Sequence, residues 1–163
     1  DIPRLAEAGI IASMQPTHAT SDMRWAEDRL GEQRLFGAYA WQRLRKAGAR
    51  LAFGSDFPVE RVDPMLGIYA AVTRQDLEGE PPGGWLPDQR VTAEVAVSGF
   101  TIDAAWAGFA EDEVGSLEVG KRADFVVLDR NLFETEPADI PKTKVLATYL
   151  DGEAVYQRDS GEE

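Results

Sequence analysis

The chain has 163 residues, 44% of them hydrophobic, enough to bury one ordinary core or a core with a small appendage. Its 29 acidic and 17 basic residues give a formal charge of −12, which excludes the basic stripe that nucleic acid or an anionic membrane surface would require. The absence of cysteine excludes disulfides and thiolate chemistry, and the single histidine, His18, excludes a two-histidine site built from this chain alone. No apolar run of membrane-spanning length and no signal-peptide pattern occurs, so a cytoplasmic protein is the expectation.

In chain order, "DIPRLAEAG" predicts a helix with Asp1 as N-cap, Ile2 and Pro3 in its first turn and Gly9 as its stop. "IIASMQP" follows as a short buried strand, with His18 just past its end in "MQPTH". Phe36, Ala40, Leu44 and Ala47 have helical spacing and predict a second helix that stops at Gly48. A second apolar run, "RLAFG", then ends at Asp56. The segments "RLAEAGIIASM" and "RLRKAGARLAFG" share R-L-x-x-A-G before an apolar run and begin 39 residues apart. Helix, glycine and buried strand, repeated, predict an α/β fold with a parallel sheet whose strands are covered on both faces.

Asp63-Pro64 opens a helix to about Arg74 with Met65, Ile68, Tyr69 and Val72 as its apolar side. "EGEPPGGWLPDQR" is a loop, Thr92 begins another helix and "TIDAAWAGFA" a further one. From Val114 the chain turns to β, with a strand over 124–128 and a hairpin around Asp151-Gly152. Two parallel strands close no barrel, and a hairpin with one or two strands makes no independent sandwich, so the chain reads as the C-terminal portion of something larger.

Ligands of parallel α/β folds bind at the carboxyl ends of the strands, where both His18 and Asp56 fall. Neighbouring parallel strands lie about 4.8 Å apart, so the two side chains can share one pocket. A carboxylate there can bind a divalent metal and take a proton from the water it activates. It can equally cap its loop by bonding nearby N–H groups, and residue types alone favour capping. They likewise favour a hydrogen-bonded loop histidine for His18. Arg74 suits a helix-end charge that complements the dipole, with steadying of a substrate group as the alternative.

The segment "LAFGSDFPVERVDPMLGIYAAVTRQDLEGEPPGGW", with "GSLEVGKRADFVVLDRNLF" and "TYLDGEAVY" after it, resembles the C-terminal portion of metal-dependent amidohydrolases. The group concerned is the one that resembles N-substituted formamide deformylase, and the likeness runs from "IPRLAEAGIIASMQPTH" to "AVYQ". The resemblance implies a (β/α)8 TIM-type barrel with a small β-sandwich built from both chain ends. Residues 1–112 would hold barrel strands 7 and 8 with their following helices, 113–158 the C-terminal part of the sandwich, and 159–163 a frayed tail. Asp56 would be the acid after strand 8, a metal ligand and general base, and His18 would face substrate rather than metal. The implied reaction is hydrolysis of a non-peptide C–N bond in a small amide-like molecule, with a divalent metal, zinc, in the intact enzyme.

The family's His-x-His after strand 1, its strand-4 carboxylate or modified lysine, and its histidines after strands 5 and 6 are absent from the sequence. The chain therefore resembles a fragment, inactive by itself and holding no metal tightly, whose partner is the missing N-terminal barrel half or a second copy. A reading of a different class is a non-catalytic α/β module that binds a partner chain through open strand edges. An enzyme with a strand-end Asp nucleophile is disfavoured, because no second acid stands near Asp56 to divide the acid–base work.

Overall fold

Two short parallel strands organise the part of the molecule that carries His18 and Asp56. In a computed structural model that describes residues 1–159, helix α1 (Ile2–Glu7) leads into β1 (Ala12–Met14). Farther along, α4 (Trp41–Lys46) leads into β2 (Leu51–Phe53). Left-handed glycines, Gly9 at φ 66° and Gly48 at φ 93°, end the two approaches as the sequence predicts. The strands pair in parallel with Ala12 opposite Leu51, Ser13 opposite Ala52 and Met14 opposite Phe53, the same 39-residue offset as the sequence repeat. Beyond the strand, the Gly54 N–H continues the ladder by donating to the Met14 carbonyl at 3.2 Å. The α/β expectation holds.

Two expectations are corrected, and one helix is added. The strands are not both covered on both faces: Leu51, Ala52 and Phe53 are buried, whereas Ser13 of β1 is exposed and its neighbours are half-buried. Helices α4, α6 (Ala93–Phe100) and α7 (Ile102–Ala107) lie against β2, while β1 has no second strand partner among the described residues. The helix expected through Phe36 is not continuous either. Its first turn, α3 (Glu32–Leu35), ends where the chain bends over 36–40, with Tyr39 left-handed at φ 47°. Phe36 is 65% exposed under the Arg43 guanidinium, and Trp41 fills the core in its place. Finally, the sequence reading passes over the fifteen-residue helix α2 (Pro16–Leu30). It carries no broad apolar stripe, and only Pro16, Ala19 and Ala26 are buried.

Helix α5 (Pro64–Thr73) starts as expected, the Asp63 carboxylate accepting from the Met65 N–H at 2.9 Å. It is apolar almost all round and buried from Met65 to Ala71, more completely than a one-sided stripe predicts. The Thr92 hydroxyl caps α6, and α7 follows directly. The β region is a three-stranded antiparallel sheet of β3 (Phe125–Leu128), β4 (Val145–Leu150) and β5 (Glu153–Gln157), in that order. Asp151 and Gly152, both at positive φ, make the two-residue turn of its hairpin. Leu132 and Ile140, in the connection between β3 and β4, join Trp41, Leu44, Phe53 and Ile68 in one core. Of the tail expected to fray, residues 160–163 lie outside the described residues.

Among the described residues the outer edge of β1 has no strand partner, and Phe57, Val59 and Phe109 are largely exposed. The charge of −12 opposes self-association, but salt screens it beyond about 8 Å under physiological conditions. The isolated chain is expected to sediment as a self-associating species at low micromolar concentration; a single sharp monomer boundary would count against an open edge.

Candidate active site

The two strands end side by side and hand their chains to different kinds of structure. After Met14, Gln15 serves as N-cap of α2, which places His18 in that helix's first turn, its N–H bonded to the Gln15 carbonyl at 3.1 Å. After Phe53, the chain passes through Gly54 and Ser55 to Asp56, a non-glycine residue held left-handed at φ 57°. Its carbonyl accepts from Val59 N–H at 2.8 Å and Glu60 N–H at 3.4 Å, so the backbone closes this turn. The Asp56 carboxylate accepts no backbone N–H among the described residues, so it does not take the capping role that residue types favoured.

Instead, Asp56 Oδ2 stands 3.4 Å from His18 Nε2. The side chains are 48% and 27% exposed, but Nε2 itself is buried and makes no hydrogen bond among the described residues. The contact is at ion-pair range and looser than a formed hydrogen bond. Thus the structure brings together the two residues that the sequence placed at neighbouring strand ends. Backbone strain stored in a left-handed non-glycine residue recurs where a side chain must be presented rather than packed.

Beside the pair, a cleft of about 360 Å³ opens between α2, the loop after Asp56 and α5. Thr17, Ser21, Arg24, Glu60 and Asp76 are among its lining residues. Ser21 Oγ donates to Glu60 Oε1 at 2.6 Å, and Arg24 lies 3.6 Å from Asp76. The Thr17 hydroxyl is buried without a partner among the described residues.

Arg74 takes no part in this pair. It ends α5 in the left-handed conformation, φ 60°, with its side chain wholly buried. Nε donates to the Trp85 carbonyl at 2.8 Å and Nη1 to the Tyr39 carbonyl at 2.9 Å, while the guanidinium lies 4.3 Å from the centre of the Trp41 ring. Burial lowers its pKa to about 10. Sequence reasoning missed two residues connected to it, Tyr39 and Asp22. The Tyr39 hydroxyl donates to Asp22 Oδ2, and burial together with that carboxylate pushes the phenol pKa up. The one available signal was spacing, since Asp22 follows His18 by one helical turn.

No three or more of the His, Asp and Glu side chains among the described residues gather closely enough to hold a metal ion. Asp56 has the oxygen chemistry of a ligand, but one carboxylate and one imidazole fall short of the three or four protein ligands that a zinc site takes. Calorimetric titration of the isolated chain is expected to show no sub-micromolar zinc binding. Stoichiometric tight binding abolished by Asp56→Ala would demonstrate a complete site within these residues.

A family model described as "Amidohydrolase family" matches residues 1–156. The Arabidopsis thaliana protein LONG AFTER FAR-RED 3 is 36% identical over 154 residues, covering 94% of this chain and 26% of that protein. The N-substituted formamide deformylase of Arthrobacter pascens is 38% identical over 112 residues, 69% of this chain and 20% of its own length. The crystal structure of an uncharacterized metal-dependent hydrolase from Pyrococcus horikoshii OT3 matches with a TM-score of 0.74 at 32% identity, over 83% of this chain and 27% of that one. The chain therefore spans between a fifth and a third of the length of these proteins.

Proposed function

The chain belongs to the amidohydrolase family, and from that premise we propose that it supplies the last two strand–helix units of a (β/α)8 barrel in a metal-dependent hydrolase of non-peptide C–N bonds. Residues 1–112 would carry barrel strands 7 and 8, and 113–158 the C-terminal part of an adjoining β-sandwich. The observation that carries this reading is the contact of His18 with Asp56 at the carboxyl ends of two paired parallel strands. The deformylase among the relatives supports a small amide-like substrate, since its name specifies an N-substituted formamide.

In the intact enzyme, Asp56 would share a divalent cation, zinc in this proposal, with side chains outside these residues. The chemistry that cation supplies when bound is polarisation of the scissile carbonyl and acidification of water. With Oδ2 turned to His18, Asp56 has its second oxygen available as a base. It takes a proton from the attacking water as the C–O bond forms, then gives that proton to the amine nitrogen as the C–N bond breaks. His18 flanks the carboxylate with Nε2 at 3.4 Å and presents the rest of its partly exposed ring to the substrate. The test is Asp56→Asn in the intact enzyme, assayed by formate release from an N-substituted formamide.

A further inference from the structure

The placement of His18 depends on helix α2, and α2 has little apolar grip. Among its fifteen residues only a proline and two alanines are buried, and no side chain caps its first turn. With only small side chains buried, polar ties, Ser21 to Glu60 and Arg24 to Asp76 among them, help to fix its setting. Asp22, one turn beyond His18 and on the same side of the helix, makes such a tie by accepting the Tyr39 hydroxyl.

Tyr39 is in turn held at both ends. Its carbonyl accepts from Arg74 Nη1 at 2.9 Å, and its ring meets Trp85 edge-on at 5.5 Å between centroids. Arg74 is wholly buried and bonds the Trp85 carbonyl as well, with Trp41 against its guanidinium. It has no carboxylate in contact among the described residues, so the cation is stabilised by carbonyl dipoles and aromatic faces. Tyr39 and Arg74 are also both left-handed non-glycine residues, at φ 47° and 60°. Paired strain of this kind persists where the surroundings over-determine it and commonly supports a nearby site.

We propose that Tyr39, clamped by Arg74, is a positioning residue that sets helix α2 through Asp22 and so fixes where His18 meets Asp56. The inference deepens the reading of His18 and Asp56 as the reactive pair and rests on it. Because His18 is the sole histidine, a carbon-13 label in the imidazole of the 163-residue chain gives one signal, and Asp56→Ala calibrates its response to this contact. The His18 resonance is compared at one fixed pH in the parent, Tyr39→Phe, Asp22→Ala, Asp22→Asn, Asp56→Ala and Ile140→Val.

Tyr39→Phe and Asp22→Ala are expected to move the signal at least half of the way to its position in Asp56→Ala. Asp22→Asn retains an oxygen that accepts the Tyr39 hydroxyl and is expected to stay near the parent. Ile140→Val, which only trims the core, is expected to stay there too. Parental positions in both Tyr39→Phe and Asp22→Ala would overturn the proposal. So would a shift in Ile140→Val as large as theirs, which would mean general loosening, or an equal shift in Asp22→Asn, which would rule out the hydrogen-bond route. If Asp56→Ala itself leaves the signal unmoved, the contact is absent and the proposed active pair falls with the inference. If it moves the signal and Tyr39→Phe and Asp22→Ala do not, only the positioning role falls.

Discussion

Asp56→Asn is expected to lower the hydrolytic rate of the intact enzyme by about a hundred- to ten-thousand-fold, the usual worth of a positioned general base, with the fold unchanged. The amide has the same shape but takes up no proton at neutral pH. The structure explains why stability should be spared. The Asp56 carboxylate is half exposed and accepts no backbone N–H among the described residues, so the exchange strands no buried donor. Asn also tolerates the left-handed backbone about as well as Asp does. A stability change within about 0.5 kcal/mol is therefore expected. Formate release and a thermal melt on the same preparation check both halves. A variant that keeps more than a tenth of the parental rate would remove Asp56 from the chemistry.

Gly84→Ala is expected to be among the most damaging single-methyl changes in the chain. Gly84 sits at φ 89°, and a Cβ there would lie 2.1 Å from the Thr73 carbonyl oxygen and 3.1 Å from Arg74 Cβ. Comparable intrusions at Gly67 and Gly99 would meet the rings of Phe100 and Phe53, which can turn aside. The Thr73 oxygen belongs to the last turn of α5 and cannot. The loop is also tied to that helix end, Trp85 N–H donating to the Arg74 carbonyl at 2.8 Å. Positive φ costs an alanine about 1–2 kcal/mol and overpacking about 1–3 more, so roughly 2–5 kcal/mol is lost. Net stabilities are typically about 5–15 kcal/mol. For a chain of this size that lowers Tm by roughly 4–20 °C. A melt displaced by less than 2 °C would mean that the loop relaxes without disturbing the Arg74 contacts.

The paired strands were legible because the sequence states their register twice: a 39-residue repeat of R-L-x-x-A-G became a 39-residue offset between hydrogen-bonded neighbours. The place of Asp56 beyond the end of a strand and beside His18 was legible from the apolar run before it, whereas residue types alone favoured a loop cap and only the family resemblance pointed to a chemical role. What stayed hidden depended on contacts between distant residues. Helix α2 is polar and held by alanine-sized contacts, so periodicity gives no sign of it. Phe36 is in phase with Ala40 and Leu44, and only the left-handed turn at Tyr39 decides that Trp41 enters the core instead. Arg74 looks like an ordinary helix-end cation until the rings of Trp41 and Trp85 and the carbonyls of Tyr39 and Trp85, brought from the start of α4, the bend before it and the loop after α5, enclose it. Local sequence carries no record of such an enclosure.

Helix α5 has a further consequence. It is packed by α2 and α6 and, from the second half of the chain, by the segment Pro137–Lys142, which brings Ile140 onto it. Leu51 and Phe53 of the parallel pair and Leu132 and Ile140 of the β region are thus members of one buried cluster. Withdrawing either region would strip a helix that has almost no polar face to offer water. Neither is therefore expected to melt alone, and calorimetry of the chain should show one cooperative transition. Two transitions would mean that the proposed boundary near residue 112 divides the thermodynamics as well as the architecture.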